Sequence, residues 1–372
     1  MKILTILGTR PEIIRLSRII PRLDEALGRE NHVLVHTGQN YDANLNEDFF
    51  KELGLRLPDV RFEARGSFAE QLAEILSQTE KILVAACPDR VLILGDTNSS
   101  LAAIVAARAG VPVYHMEAGN RSYDPRSPEE VNRRLIDHCS TVHLPYTERS
   151  RQNLLAEGIH SSRIFVTGNP IHEVIEHYRS GWTESDVLMR LGVEAGEFFL
   201  VTLHRAENVD DSARLHRLLL AFDQLQCEYD TPVIVSCHPH LKHRIADWLT
   251  HNVVSLWNTN DEIIFRPPFS FFDFLQLQSS AFCTLSDSGT VQEESCLLCR
   301  PSVTLRDHTE RPETVECGAS VLSGCDSERI LAMVKQVTSQ PTNWVTPPEY
   351  LRTNVAETVV RIITSHLETS WT

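Results

Sequence analysis

At 372 residues the chain exceeds the roughly 250–300 residues at which one hydrophobic core stops growing, so two domains are expected. Apolar residues make up 42% of it and charged residues 23%, an ordinary globular balance that excludes disordered and fibrous classes. The formal net charge of -15 sets aside nucleic acid and anionic membrane as partners, because affinity for either comes from clustered Lys and Arg; a small anion needs only a few local arginines.

The opening MKILTILGTRPEII is interrupted by Gly8, Arg10, Pro11 and Glu12 far short of a signal-peptide core. No other stretch approaches the roughly 18 apolar residues of a membrane span. The nine cysteines are scattered rather than arranged as a framework, so a reducing, cytoplasmic setting is expected. Cys296 and Cys299 form a C-x-x-C with no second pair nearby, and read as packing residues on a buried helix face.

In chain order, the short aliphatic runs KILTIL, HVLVHT, RVLILG, PVYHM and IFVTG recur between amphipathic stretches. After a polar helical stretch around 172–192 the rhythm restarts with FFLVTL, PVIVSC, EIIFRP, AFCTLS and PSVTLR. Strands without alternation, separated by helices, indicate parallel sheets covered on both faces. The expected fold class is α/β, with two Rossmann-like doubly wound domains and a cleft between them. Residues 1–169 form the first domain, 170–353 the second, and a C-terminal helix in 354–372 packs back on the first.

Ligands in such sheets bind beyond the carboxyl ends of the strands, and those ends carry polar residues that a connection does not require. The first strand runs into Gly8-Thr9-Arg10-Pro11-Glu12, where Gly8 permits a tight turn and Pro11 suits the first helical position. The turn aims a helix N-terminus and Arg10 at the ligand. The absence of G-x-G-x-x-G argues against a nicotinamide or flavin enzyme. Two later strands end in Asp96 and Glu117. One such acid is as often a helix cap, but two on successive strands point to chemistry.

Ser127-Pro128-Glu129-Glu130 has the capping-box pattern, with Glu130 reaching back and Glu129 left to face a ligand; the reverse division of roles stays open. In the second half LVTL leads into His204-Arg205-Ala206-Glu207-Asn208, and VIVSC into His238-Pro239-His240. A loop histidine is usually a surface residue, but His204 should lie across the cleft from Asp96 and Glu117. CTLSDSGTVQEESCLLC predicts a strand, a polar turn over Ser286-Asp287-Ser288-Gly289-Thr290 and a helix from near Val291. That helix N-terminus would cradle a phosphate. Glu293 and Glu294 are expected in its first turn, accepting from ribose hydroxyls or compensating the dipole. The run Arg306 to Glu313 supplies arginines suited to a diphosphate.

GTRPEIIRL, HTGQNYD, LGDTNS, MEAGNRS, PEEVNRR, TGNP, HRAEN, SDSGT-QEE and RDHTERPE together resemble the non-hydrolysing UDP-N-acetylglucosamine 2-epimerase family, colinearly over essentially the whole chain. The resemblance implies the two-domain GT-B fold, a cytoplasmic homodimer, no cofactor, and a supply of activated sugars for surface polysaccharides. It matches Arg10, Ser288, Gly289, Thr290, Glu294 and Arg311 to nucleotide-binding positions, and Asp96, Glu117, Glu129 and His204 to the catalytic cluster. Arg15, Arg205 and His238 are added as substrate contacts. No metal is expected, since the acids are dispersed and lack ligand spacing.

Departures qualify the match. Arg15 stands where the glucosamine enzymes carry Lys, Asn120 where they carry Leu, and Thr290 where they carry a second Gly; QNYD replaces QHYD, which puts activation by a second substrate molecule in doubt. These features resemble the branch that forms UDP-N-acetyl-L-fucosamine from UDP-2-acetamido-2,6-dideoxy-L-talose, whereas RDHTERPE pulls the other way.

The implied reaction eliminates UDP to a 2-acetamidoglycal and adds it back. This avoids a carbanion beside carbon atoms that bear no carbonyl. Such chemistry needs a base and an acid on opposite faces. Asp96 and Glu129 are favoured, with Glu117 tuning them or serving as one of the two, and the individual assignment is open. Arg10, His204, Arg311 and the helix after Thr290 would stabilise the departing diphosphate. A glycosyltransferase of the same fold, a hydrolysing epimerase and a non-catalytic UDP-sugar sensor are the rival readings.

Overall fold

The structure is a computed structural model and describes residues 1–39, 43–251 and 262–366. The chain divides into two compact units, Met1–His177 with Pro348–Thr372, and Tyr178–Pro347. Among the described residues no helix is long and apolar enough to cross a membrane.

The first unit contains β1 (Ile3–Leu7), β2 (His32–His36), β3 (Val60–Arg61), β4 (Arg90–Leu94), β5 (Val113–Met116) and β6 (Val142–Leu144), in the order β3-β2-β1-β4-β5-β6. The second contains β7 (Phe199–Leu203), β8 (Val233–Cys237), β9 (Ile263–Arg266), β10 (Cys283–Ser286), β11 (Ser302–Thr304) and β12 (Ser320–Leu322), in the order β12-β11-β10-β7-β8-β9. Every pairing is parallel. Read from opposite edges the two orders are the same doubly wound sequence, each reversing beside its first strand. The expected α/β class and the paired doubly wound sheets are therefore present. β1, β4 and β8 are buried along their whole length, which is why their sequences do not alternate.

The strand and boundary expectations need correction. IFVTG forms no strand: Ile164 makes one isolated bridge to His143, and the ladder position is taken by Val142–Leu144. β3 and β12, two and three residues long, are too short to leave a periodic pattern. The first unit extends beyond 169 to His177 and resumes at Pro348 rather than 354. The helix Ile171–His177 packs on the helix Arg10–Leu16, and Glu173 accepts from the backbone of Ala356 at 2.9 Å, binding both segments to the first sheet. The final helix Val355–Ser365 packs on the helix Ile19–Leu27, and Arg90 donates to the carbonyls of Ile363 and His366.

Candidate active site

In the first unit the reversal of strand order sets the ends of β1 and β4 side by side. A Cβ at Gly8 would lie 2.1 Å from both the Ser99 and Thr37 hydroxyls, so the β1 turn is pressed against its neighbours as only glycine allows. Thr9 caps the following helix. Glu12 accepts from the backbone of Gly8 and Thr9 and from the Thr9 hydroxyl with one oxygen, and from Thr97 with the other at 3.1 Å. Burial pushes the Glu12 carboxyl up to about 7 despite these donors. This residue ties the β1 turn to the loop bearing Asp96, and the T-x-x-E spacing of GTRPE was the signal for it.

Arg10 begins the helix with its guanidinium 4.0 Å from the centre of the Phe49 ring. Arg15, on the same helix, is 2% exposed; it pairs with Glu117 and lies over the Tyr146 ring. Expected as a substrate contact, its charge faces a carboxylate of the same unit.

Glu117 has φ 66°, a left-handed conformation that costs a non-glycine residue about 1–3 kcal/mol. The surroundings over-determine it. Its N–H donates to Leu144, and two residues on the Gly119 N–H donates to Asp137, a fully buried carboxylate that also holds His115 at 2.8 Å and Arg121 at 2.8 Å. Arg121 in turn grips Glu157 with both ends of its fork. Burial would raise the Asp137 carboxyl, but the hydrogen bond from His115 and the nearby positive charges hold it down at about 2.

The helix Pro128–Cys139 brings the third acid. The capping box does not form. Ser127 gives its hydroxyl to Glu129 at 2.7 Å, while Glu130 turns away to accept from the backbone and hydroxyl of Ser122 and to pair with Arg133 and Arg134. Glu130 wins more donors there than the helix end offers. Arg133 also holds Asp96 at 2.5 Å, and Asn132 donates to the Asp96 carbonyl. A Cβ on Gly95 would sit 4.0 Å from a Glu117 oxygen, so Glu117 stands beside the Gly95-Asp96 turn. Arg15, Glu117 and Asp96 are thus brought together, with Glu129 on the helix that anchors Asp96. Glu130→Gln is expected to cost roughly 1–3 kcal/mol in urea unfolding, since a buried group loses charge-assisted bonds; a cost under a few tenths would restore the capping assignment.

In the second unit the reversal pairs β7 with β10. Asp287, fully buried at the end of β10, accepts from the backbone N–H groups of His204 and Arg205, from Asn208, and from His204 Nδ1 at 3.0 Å. Burial opposes ionisation, but the charges and hydrogen bonds of His204 and Arg205 hold this carboxyl at about 2. His204 is itself 49% exposed. Pinning Nδ1 fixes the ring and leaves Nε2 for other work. Sequence reasoning saw Asp287 only as a turn residue.

The helix at this end spans Gly289–Leu297 with Ser288 as N-cap, two residues earlier than expected. Ser288 is extended and donates to the Ser286 hydroxyl, which frees Gly289 and Thr290 to adopt helical geometry. Glu293 and Glu294 therefore lie beyond the first turn, which contains no acid. Its N–H groups keep their affinity for an anion. Both glutamates are buried, and Glu293 pairs with Arg311 at 2.5 Å. A Cβ on Gly289 would meet Glu310 at 2.7 Å, so the Arg306–Arg311 segment lies against the helix start. Arg306 pairs with Glu310 at 2.8 Å, and Arg205 reaches the same carboxylate at 3.6 Å. The arginines expected for a diphosphate are therefore held by internal carboxylates. Gln292, quoted in the sequence only as part of the QEE motif, bridges to Thr314, Thr309 and the Arg311 carbonyl.

His238 is exposed and accepts from the His240 backbone at 3.4 Å in a local turn. In QNYD, Gln39 accepts from Ser99, and Asn40, Tyr41 and Asp42 lie outside the described residues. Cys296 is buried, but Cys299 is exposed at φ 54° beyond the helix end, so the pair does not share a buried face. Among the described residues no three His, Cys, Asp or Glu side chains gather as a metal site would require.

Two doubly wound sheets, one with acids at its strand ends and the other with an uncompensated helix N-terminus at its switch point, define an α/β protein of the GT-B type, a class built to handle nucleotide-linked sugars. The sequence profile of the family described as UDP-N-acetylglucosamine 2-epimerase matches residues 25–364. A UDP-N-acetylglucosamine 2-epimerase of Methanocaldococcus jannaschii is 40% identical over 98% of this chain and 99% of its own. A UDP-2,3-diacetamido-2,3-dideoxy-D-glucuronate 2-epimerase of Pseudomonas aeruginosa is 35% identical over 89% and 90%. The crystal structure of the M. jannaschii enzyme in complex with UDP-GlcNAc and UDP superposes with a TM-score of 0.91 at 39% identity, covering 98% of this chain and 99% of that one. The Neisseria meningitidis enzyme bound to UDP-GlcNAc gives 0.86 at 27% identity, covering 98% and 100%. The chain belongs to the UDP-N-acetylglucosamine 2-epimerase family and is an isomerase.

Proposed function

We propose that this enzyme inverts carbon 2 of UDP-N-acetylglucosamine, interconverting it with UDP-N-acetylmannosamine without net hydrolysis. The observation that carries the reading is the pairing of Glu117 with Arg15 beside Asp96, because a carboxylate held in a strained, over-determined backbone is costly unless it works. The named activities of the M. jannaschii and N. meningitidis relatives support the substrate. A base takes the proton from carbon 2 as the bond from carbon 1 to the UDP oxygen breaks. The product is neutral 2-acetamidoglycal and UDP. An acid on the opposite face returns a proton to carbon 2 while UDP re-forms the bond to carbon 1. Asp96 and Glu129 exchange the protons, and Glu117, fixed by Arg15, sets their basicity or serves as one of the two. Ser288, Gly289 and Thr290 hold the diphosphate at the helix N-terminus. Glu294 meets the ribose, and Arg10, Arg205, His238 and Arg311 complete the contacts. His204, oriented by Asp287, stabilises the leaving oxygen.

A second substrate is favoured by Arg15 and Asn120, which depart from the glucosamine enzymes: UDP-2-acetamido-2,6-dideoxy-L-talose, giving UDP-N-acetyl-L-fucosamine. Incubating the protein with each UDP-sugar in deuterated water tests both. Deuterium should enter carbon 2 with the UDP linkage intact and no acceptor present. Sugar recovered unlabelled refutes inversion, and free N-acetylmannosamine with UDP marks a hydrolysing enzyme instead.

A further inference from the structure

Away from the strand ends, two thiols stand together. Cys296 is fully buried in the Gly289–Leu297 helix, with its sulfur 3.7 Å from that of Cys317, the partly exposed residue that ends the helix Pro312–Glu316. A disulfide bond is about 2.05 Å long, so the sulfurs have only the rest of that 3.7 Å gap to close. The two sulfurs share a hydrogen bond in which either can donate, and Cys317 also reaches the Thr314 carbonyl at 3.4 Å; the shared contact lowers Cys317 and raises its partner. One residue is therefore partly exposed and lowered towards thiolate, and the other is buried in contact with it, placed to resolve it. The C-x-x-C partner Cys299 is exposed and turned off the helix.

We propose that Cys296 and Cys317 form a reversible redox pair, closed to a disulfide by peroxide entering at Cys317. The Cys317 thiolate attacks one peroxide oxygen and the O–O bond breaks, leaving a sulfenic acid and releasing water. Cys296 then attacks the sulfenic sulfur; the S–O bond breaks, the S–S bond forms, and the hydroxide leaves as water with the Cys296 proton. Two thiols lose two electrons, and one hydrogen peroxide becomes two waters. The bond joins helices already linked through Gln292–Thr314 and Glu293–Arg311, so the native arrangement needs little adjustment. Closing a loop between residues 21 apart in sequence restricts the unfolded chain and stabilises the second unit.

The test uses the full-length reduced protein, treated with hydrogen peroxide, blocked with N-ethylmaleimide, and analysed by digestion and mass spectrometry. A peptide bearing Cys296 should be found linked to one bearing Cys317, and dithiothreitol should separate them. The Tm of the oxidised protein should exceed that of the reduced protein by roughly 5 °C. Cys317→Ser should abolish the link and the Tm shift without changing the reduced enzyme's turnover. Cys296→Ala should do the same, and because its site is buried, Cys317→Ser decides the matter if that variant does not fold. A Cys299–Cys317 link, Cys317 accumulating as sulfinic acid, or both thiols remaining alkylable after peroxide would overturn the pair.

Discussion

Glu117→Gln is expected to lower the rate of carbon-2 inversion by roughly 10²- to 10⁴-fold while the protein stays folded. Gln keeps the size and one acceptor oxygen, and the clamp that sets the turn, Gly119 to Asp137 to Arg121, does not involve residue 117. The negative charge is lost. Arg15 would then face a neutral amide while 2% exposed, and breaking a buried pair on one side costs about 3 kcal/mol. The two losses are separable. Deuterium exchange at saturating UDP-sugar reads the chemistry, and urea unfolding reads the pair. A variant that exchanges at the wild-type rate removes Glu117 from the reaction, whatever its stability.

The second large effect is expected at Asp287. Asn can accept from only part of the set that includes His204 N, Arg205 N, Asn208 and His204 Nδ1, and its NH2 group must face donors. Asp287→Asn should therefore cost roughly 3 kcal/mol. It should also slow turnover by about 10²-fold or more, because His204 loses the carboxylate that sets its tautomer and orientation. Asp287 is depressed to about 2 from an unfolded value of 3.8, so its stabilisation is present above the unfolded value and is lost as pH falls through the folded one. The gap in urea midpoint between wild type and variant should be full at pH 6 and close between about pH 4 and pH 2. A gap independent of pH across that range would mean that the charge of Asp287 carries none of the effect.

The sheets were legible because buried parallel strands leave uninterrupted aliphatic runs, as RVLILG and PVIVSC do. They failed where a strand was too short for a pattern, as at Val142–Leu144, or where an aliphatic run such as IFVTG made only one bridge. Strand-end position singled out Asp96, Glu117 and His204 as candidates, since the sequence shows where each run stops. It does not show which carboxylate a guanidinium will choose. Arg15 faces Glu117, and Glu130, assigned to a helix cap, turned to Ser122 and two arginines that offered more donors. Asp287, Asp137 and Gln292 were missed for a related reason: each joins segments distant in sequence, and only the fold brings their partners within reach.

Arg306 and Arg311 lie near the start of the Gly289–Leu297 helix already neutralised by Glu310 and Glu293, while the first turn of that helix presents oriented N–H dipoles with no acid among them. Attraction there depends on direction more than on surplus charge. Dissolved salt, which screens monopoles over about 10 Å at 0.1 M, has little purchase on such short-range dipoles, so the proposed diphosphate contact would weaken little as salt rises.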